Sequence, residues 1–438
     1  MKILRFGSYC YPEEVSSSHL SRNTNEAYRD AGFVTENYVP TPTRGIDKET
    51  RRKYKKIKYE EIYDGSFHIY RFSMFRERKN PVLRAIRYIL VNIKQYFKGI
   101  KAKKIDLILG SSTPPTQGML CALVKKKLSK KYQKNVPFIY NLQDIFPDSL
   151  VHTGLTKKGS VLWKLGRKIE NYTYNSADKI VVISESFKQN IMEKGVPEEK
   201  ICIIENWIDT EEVVNIPREE NKLFKKYNLD RNKFYICYSG NIGHTQNLDM
   251  LLDTAKRIAE ANSDIYFIII GEGAAKSHIA LRIEAEKITN VIMLPFQDYT
   301  DISHVFSLGD LGLIISKKGI GTNSVPSKTW SIMSAARPVL ASFDKGGDLD
   351  RIITKNNCGI CISPDNTEAF YNTILSCYAN SDKLYEMGKN GRNYVTTYLT
   401  KEIGTKKWIE LLKSIVAKGK ATFDNQKQIE REKETVEA

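Results

Sequence analysis

Short apolar runs, most of them four to six residues long, recur through this chain, and amphipathic stretches separate them. Parallel strands need a crossover between them, usually a helix, so this alternation specifies parallel sheets covered by helices. One series covers Ile3–Phe6, His68–Phe72, Asp106–Gly110, Pro137–Asn141 and Lys179–Ser184. A second covers Phe234–Ser239, Ile265–Ile270, Val291–Pro295, Leu311–Ser316, Arg337–Ser342 and Gly359–Ser363. Each series reads as a doubly wound, Rossmann-like α/β domain, and 438 residues are too many for one ordinary core. Asn206–Glu220, with Pro217 and its charges, interrupts the pattern, so domains are expected over residues 1–205 and 206–385. Helices are expected over 386–415, and a charge-rich tail, disordered or loosely helical, over 416–438. Ligands of such sheets bind beyond the carboxyl ends of the strands, and two similar halves invite a cleft between them.

The net charge of +17 is unevenly placed. Residues 1–200 hold 38 Lys and Arg against 20 Asp and Glu, an excess of 18, whereas the remainder holds 30 against 31. The first half therefore faces an anionic partner: nucleic acid, a membrane surface or a charged substrate. No apolar run is long enough to span a bilayer, and the start reads as a first strand rather than a signal peptide, so a cytoplasmic protein is expected. Of the seven cysteines only Cys358 and Cys361 have a metal or redox spacing, and they fall on a strand where residues three apart point to opposite faces. They read as core residues in a reducing compartment.

Several strand ends carry residues suited to chemistry. Asn323-Ser-Val-Pro-Ser-Lys328 is a polar loop leading into a short helix, which sets Lys328 and backbone N–H groups at a helix N-terminus, where the dipole favours a phosphate. An ordinary loop-helix-strand corner would carry the same letters. Gly240 and Gly243 follow the first strand of the second series and allow backbone N–H groups to approach an anion, although a tight turn needs glycine in any case. Gly271-Glu272-Gly273 resembles part of a dinucleotide fingerprint, but Lys276 and the missing acidic partner speak against nicotinamide. A nucleoside packed over Gly271–Gly273 and against Phe296 is the better functional reading. In the first series Asp144 stands at a strand end, where a carboxylate accepts a proton or a sugar hydroxyl, or caps a helix. His19, His152 and His244 are expected in loops, and none of the six histidines has ligand spacing, so no metal is indicated.

Residues 76–104 combine Val82, Leu83, Ile86, Ile89, Leu90, Ile93, Phe97 and Ile100 on one helical face with Arg84, Arg87, Lys94, Lys98 and Lys101 beside it. Such a helix suits an anionic membrane surface, and a helix covering the first sheet would look much the same. No recognisable nucleic-acid module accompanies the charge.

Taken together, Ser112-Thr-Pro-Pro115, Gln143-Asp-Ile-Phe-Pro-Asp148, Ile204-Glu-Asn-Trp-Ile-Asp209, Gly240-Asn-Ile-Gly243, Gly271-Glu-Gly273 and Val325-Pro-Ser-Lys328 with Arg337-Pro-Val339 resemble the retaining glycosyltransferases of family 4. The likeness is strongest to the branch that builds bacterial surface polysaccharides, including fucosamine and fucosyl transferases. It implies a GT-B fold, two Rossmann-like domains facing across a cleft, with the acceptor on the first and a UDP- or GDP-sugar on the second. It also implies a metal-independent reaction with no cofactor, in which Lys328 and the N–H groups around Gly240–Gly243 neutralise the leaving diphosphate.

On that resemblance the donor set is Gly240, Asn241, Gly243, Gln246, Gly271, Glu272, Gly273, Phe296, Asn323, Ser324, Val325, Pro326, Ser327 and Ser331. Asp144 and Lys328 are the catalytic pair, and Ser17, His19, Thr113 and Gln143 stand on the acceptor side. The expected acceptor is a polyprenyl-diphosphate-linked glycan, met by a peripheral enzyme on the inner membrane face. The chain departs from the wider family where two glutamates are usual, having Asn323 and Ser331, and where His-Asp is usual, having Gln143-Asp144. A nucleotide-sugar epimerase of the same fold and a non-catalytic scaffold are the competing readings.

Overall fold

Eight strands form the first sheet: β1 (Lys2–Phe6), β2 (Val34–Pro40), β3 (Tyr59–Ile62), β4 (Phe67–Phe72), β5 (Leu107–Ser111), β6 (Phe138–Leu142), β7 (Lys179–Val182) and β8 (Ile201–Ile203). Their order is β3-β4-β2-β1-β5-β6-β7-β8, parallel except for the antiparallel edge pair β3–β4. This computed structural model describes all residues except 14–17, 78–79, 153, 155, 322–324 and 438, together with the side chains of 81, 152 and 420–437. The expected tail over 416–438 forms the end of the last helix, Lys401–Glu437, and only Ala438 lies wholly outside the described residues.

Three of these strands escape a search for apolar runs, each for its own reason. β2 buries Thr35, Glu36 and Asn37, so it lacks the continuous apolar signature of a covered parallel strand. Edge strand β3 alternates exposed and half-buried positions, and β8 has three residues. Elsewhere the signature holds: Ile108 on β5, its partner Phe138 on β6 and Ile180 on β7 are fully buried.

The second sheet comprises β9 (Phe234–Ser239), β10 (Ile265–Ile270), β11 (Val291–Leu294), β12 (Leu311–Ile315), β13 (Val339–Ser342) and β14 (Gly359–Ile362). All six are parallel in the order β11-β10-β9-β12-β13-β14. The chain leaves β9 toward β10 on one side and returns to β12 on the other, so the strand order reverses between β9 and β12. Such a reversal parts the loops at the carboxyl ends and opens a crevice there. Ile236, Phe267, Ile269 and Leu313 are fully buried in the core of this sheet, each worth about 1.5–3 kcal/mol of burial.

The chain divides into two compact units: Met1–Ile183 with Lys188–Glu205 and Gly404–Ala438, and Asn206–Ile403 with Ser184–Phe187. The expectation of two parallel-sheet α/β domains is met. Cys358 and Cys361 are buried and unbridged, and burial pushes both thiols up to about 12.

Candidate functional site

The crevice of the second sheet is built from the turn after β9 and the loop after β12. Lys328 begins the Lys328–Ser334 helix, and its Nζ lies 3.9 Å from the ring centroid of Tyr238, the penultimate residue of β9. Gly240 makes this possible, because a Cβ there would stand 2.7 Å from that Nζ, at a backbone φ of 143° that side chains rarely adopt. The Lys328 ammonium has no hydrogen-bond or carboxylate partner among the described residues, and it is not sealed from solvent. The protein packed around it pushes its pKa down to about 7. An unpaired cation held in low-dielectric surroundings is a receptor for an anion.

The helix that carries Lys328 is fixed from behind. Arg392 donates to the Ser334 carbonyl at 2.7 Å, to Ser334 Oγ at 2.8 Å and to the Val213 and Thr210 carbonyls at 2.9 Å each. A cation on the last carbonyls both satisfies them and complements the helix dipole. The loop before the helix is anchored too: Asp344 accepts from the Gly319 and Gly321 amides at 2.9 and 2.7 Å, and Asp365 from the Lys318 amide at 3.1 Å. Lys317 N–H donates to Thr245 O at 2.9 Å, joining the two crevice loops.

One expectation about the glycines needs correction. The amides of Gly240, Ile242 and Gly243 are already spent, on Ile270 O (2.9 Å), Glu272 O (2.8 Å) and Gln246 Oε1 (3.1 Å). They are therefore not a cradle of free donors around Gly240–Gly243. Gly271 and Gly273 are required by packing: a Cβ on either would strike the backbone oxygen of Gly240 or of Ile242. Gln246 and Asn241 close the same turn, with Asn241 Nδ2 3.5 Å from Gln246 Oε1.

Other donor-side residues divide by exposure. Glu272 is exposed and paired with Lys276 at 2.6 Å, and Phe296 is 70 % exposed on the loop after β11. Pro326 O and Ser327 O accept from the Thr329 and Trp330 amides, and Val325 packs on the core beneath. Ser331 stands one turn beyond Lys328 and is buried. Asn323 and Ser324 lie outside the described residues.

In the first unit, Ser112 Oγ accepts from the Gln143 and Asp144 amides at 3.0 Å each, which ties the loop after β5 to the loop after β6. Thr113 Oγ1 donates to Asp144 Oδ2 at 3.4 Å. Surrounding protein raises the Asp144 carboxyl pKa, and the Thr113 bond opposes this; the residue keeps an exposed surface, so a ligand covering it would strengthen the upward push. Thr113, Gln143 and Asp144 are thus brought together. His19 falls in the Ser18–Asp30 helix rather than in a loop, because the helix already starts at Ser18, and His152 ends the Asp148–His152 helix. Ser17 lies outside the described residues. Among the described residues no group of three or more His, Cys, Asp or Glu stands together to hold a metal ion.

Sequence reasoning gave no role to Tyr238, Asp344 or Arg392. Tyr238 reads as one more buried strand aromatic, and the partners of Asp344 and Arg392 are, apart from Ser334 Oγ, backbone atoms, all of them 23 to 182 residues away.

Comparison with known proteins bears on this site directly. The family model for Glycosyltransferase Family 4 matches residues 49–212, and that for Glycosyl transferases group 1 matches residues 219–394, which include the whole crevice. The chain is 28 % identical over 280 residues to the probable glycosyltransferase WbjE of Pseudomonas aeruginosa, covering 63 % of this chain and 66 % of that one. It is 24 % identical over 376 residues to the putative colanic acid biosynthesis glycosyl transferase WcaI of Escherichia coli, covering 84 % and 90 %. Among solved structures, Anabaena HepE in complex with UDP superposes with a TM-score of 0.69 at 16 % identity over 94 % of this chain and 100 % of that one, a likeness of fold. With a Glycosyltransferase Family 4 domain matched over residues 49–212 and a Glycosyl transferases group 1 domain over residues 219–394, the chain carries a glycosyltransferase domain in each α/β unit and has the GT-B fold.

Proposed function

We propose that this glycosyltransferase moves a sugar from a UDP-sugar to a lipid-linked glycan during assembly of a surface polysaccharide, with retention of anomeric configuration and without a metal ion. The observation that carries the donor half is the unpaired Lys328 ammonium at the strand-order reversal between β9 and β12. A diphosphate brings the counter-charge this cation lacks, and the cation in turn stabilises charge developing on the leaving group. UDP is favoured over GDP because the HepE neighbour was solved with UDP. Polysaccharide assembly is favoured by the relatives named for glycosyl transfer and colanic acid biosynthesis. Asp144, steadied by Ser112 and Thr113, orients the acceptor hydroxyl. The enzyme works as a peripheral protein on the inner membrane face; among the described residues no helix is long and apolar enough to cross a membrane.

A thermal-shift panel of UDP, GDP and their sugars tests the donor: a ligand at a hundred times its Kd stabilises the fold by about 2.7 kcal/mol. Transfer from the stabilising donor to a lipid-linked acceptor, with the product's anomeric configuration read by NMR, tests the reaction. Stabilisation by guanine nucleotides alone would overturn the UDP assignment, and an inverted product the stereochemical one.

A further inference from the structure

The Pro81–Gly99 helix lies on the first sheet with its polarity reversed. Its inward side carries Arg87, Asn92 and Gln95 beside Val91, all buried. Gln95 Nε2 donates to Gly7 O and Tyr38 O at 2.9 and 2.8 Å, Asn92 Nδ2 reaches Gln117 Oε1 at 3.1 Å, and Arg87 Nε donates to Phe75 O at 3.1 Å. Its apolar side faces out: Val82 is 64 % exposed, Ile86 45 %, Ile89 52 %, Leu90 40 %, Ile93 46 % and Phe97 58 %. A helix that merely covers a sheet turns its apolar stripe inward, so sheet covering does not account for this one.

The surface continues beyond that helix. The Gln117–Tyr132 helix packs between it and the Val161–Ser176 helix, whose first turns expose Val161 (85 %), Leu162 (50 %) and Leu165 (54 %). The three helices together hold twelve Lys and Arg and one acidic residue, Glu170, which is buried. Lys94, Lys126, Lys127, Lys130, Lys164 and Lys168 are exposed. The layer therefore offers water large aliphatic side chains and cations, with no carboxylate.

We propose that this helical layer of the first unit is a docking face for an anionic lipid bilayer, with the outer stripe of the Pro81–Gly99 helix sunk into the acyl boundary and the lysines at the headgroups. The lack of exposed carboxylates favours a bilayer over a protein partner, since cationic and aliphatic groups complement a uniformly anionic surface with an apolar interior. The inference deepens the proposed lipid-linked acceptor, on which it rests only for its purpose. It is tested without acceptor or donor, so its failure and that of the transfer reaction are distinguishable.

The full chain is co-sedimented with vesicles of phosphatidylglycerol and phosphatidylethanolamine, and with pure phosphatidylcholine vesicles. Binding to the anionic vesicles that weakens at least tenfold in phosphatidylcholine, and tenfold or more in Ile86→Asp/Ile89→Asp, is the expected result. Because these side chains are already in water, that variant keeps its melting temperature. An Ile89→Trp variant provides a reading independent of folding losses: its fluorescence shifts to the blue and is quenched by lipids brominated along the acyl chain. Absence of anionic-vesicle binding, or an unquenched Trp, overturns the proposal. So does a chain that light scattering shows to be dimeric through this face, as judged by dissociation of Ile86→Asp/Ile89→Asp.

Discussion

Lys328 Nζ sits 3.9 Å from the centroid of the Tyr238 ring, in the space a side chain on Gly240 would occupy. The ring face offers the cation a weak electrostatic partner, worth about 0.5–2 kcal/mol. That is too little to replace lost hydration, which is why the pKa falls to about 7 rather than staying near 10.5. The site is thus incomplete without an anion.

A proton should therefore enter with the nucleotide. A bound diphosphate stabilises the charged form and raises the Lys328 pKa, so above pH 7 the free protein must take up a proton on binding. UDP affinity is expected to hold steady below about pH 7 and to fall up to tenfold per unit above it. Calorimetry in buffers of different ionisation enthalpy at pH 8 should report uptake approaching one proton; a buffer-independent enthalpy would contradict this.

Gly240→Ala and Gly271→Ala separate the binding role of one glycine from the packing role of the other. At Gly240 the new methyl meets the far end of a lysine and a backbone φ of 143°, costing about 1–3 kcal/mol and displacing the ammonium, so UDP affinity falls along with stability. At Gly271 it meets the Gly240 carbonyl, so the loss of melting temperature should be the larger of the two. Equal effects on stability and no effect on UDP binding would sink the distinction.

Asp344→Ala leaves the Gly319 and Gly321 amides without their acceptor, at about 1–3 kcal/mol for the buried one. The loop that leads to Lys328 loosens, so KM for the donor should rise severalfold while kcat changes little. Asp344→Asn keeps one acceptor oxygen and should recover part of the loss. Steady-state kinetics with both variants checks the order.

Asp144→Asn is expected to lower kcat by about a hundredfold or more with UDP affinity unchanged, because Asp144 belongs to the first unit and Lys328 to the second. The raised carboxyl pKa gives the sign of the pH effect: activity is present above it and is lost as pH falls through a value higher than the usual carboxylate range. The variant should lose that acidic limb.

Much of the architecture was legible because parallel strands announce themselves. Runs such as Ile265–Ile270 are apolar throughout, and their positions gave both sheets. β2 stayed hidden because buried Thr35, Glu36 and Asn37 break its run. The crevice was legible in part. Lys328 could be placed at a helix start, but not the Tyr238 ring beneath it, the Asp344 anchor or the Arg392 clamp, since those contacts join segments far apart in the chain. The Gly240–Gly243 turn was over-read as a set of free anion donors, because amides spent within a turn and amides left for a ligand look identical as letters. The Pro81–Gly99 stripe was read correctly as amphipathic, yet periodicity alone cannot say which side faces the sheet.

The most direct test is isothermal calorimetry of UDP with the native chain and with Lys328→Met, which keeps the stem and removes the charge. Loss of a hundredfold or more in affinity, about 2.7 kcal/mol, with an unchanged melting temperature for the unliganded protein, is the predicted result. Affinity within twofold of the native chain, in a variant shown to be folded, would contradict the assignment of Lys328 to the diphosphate.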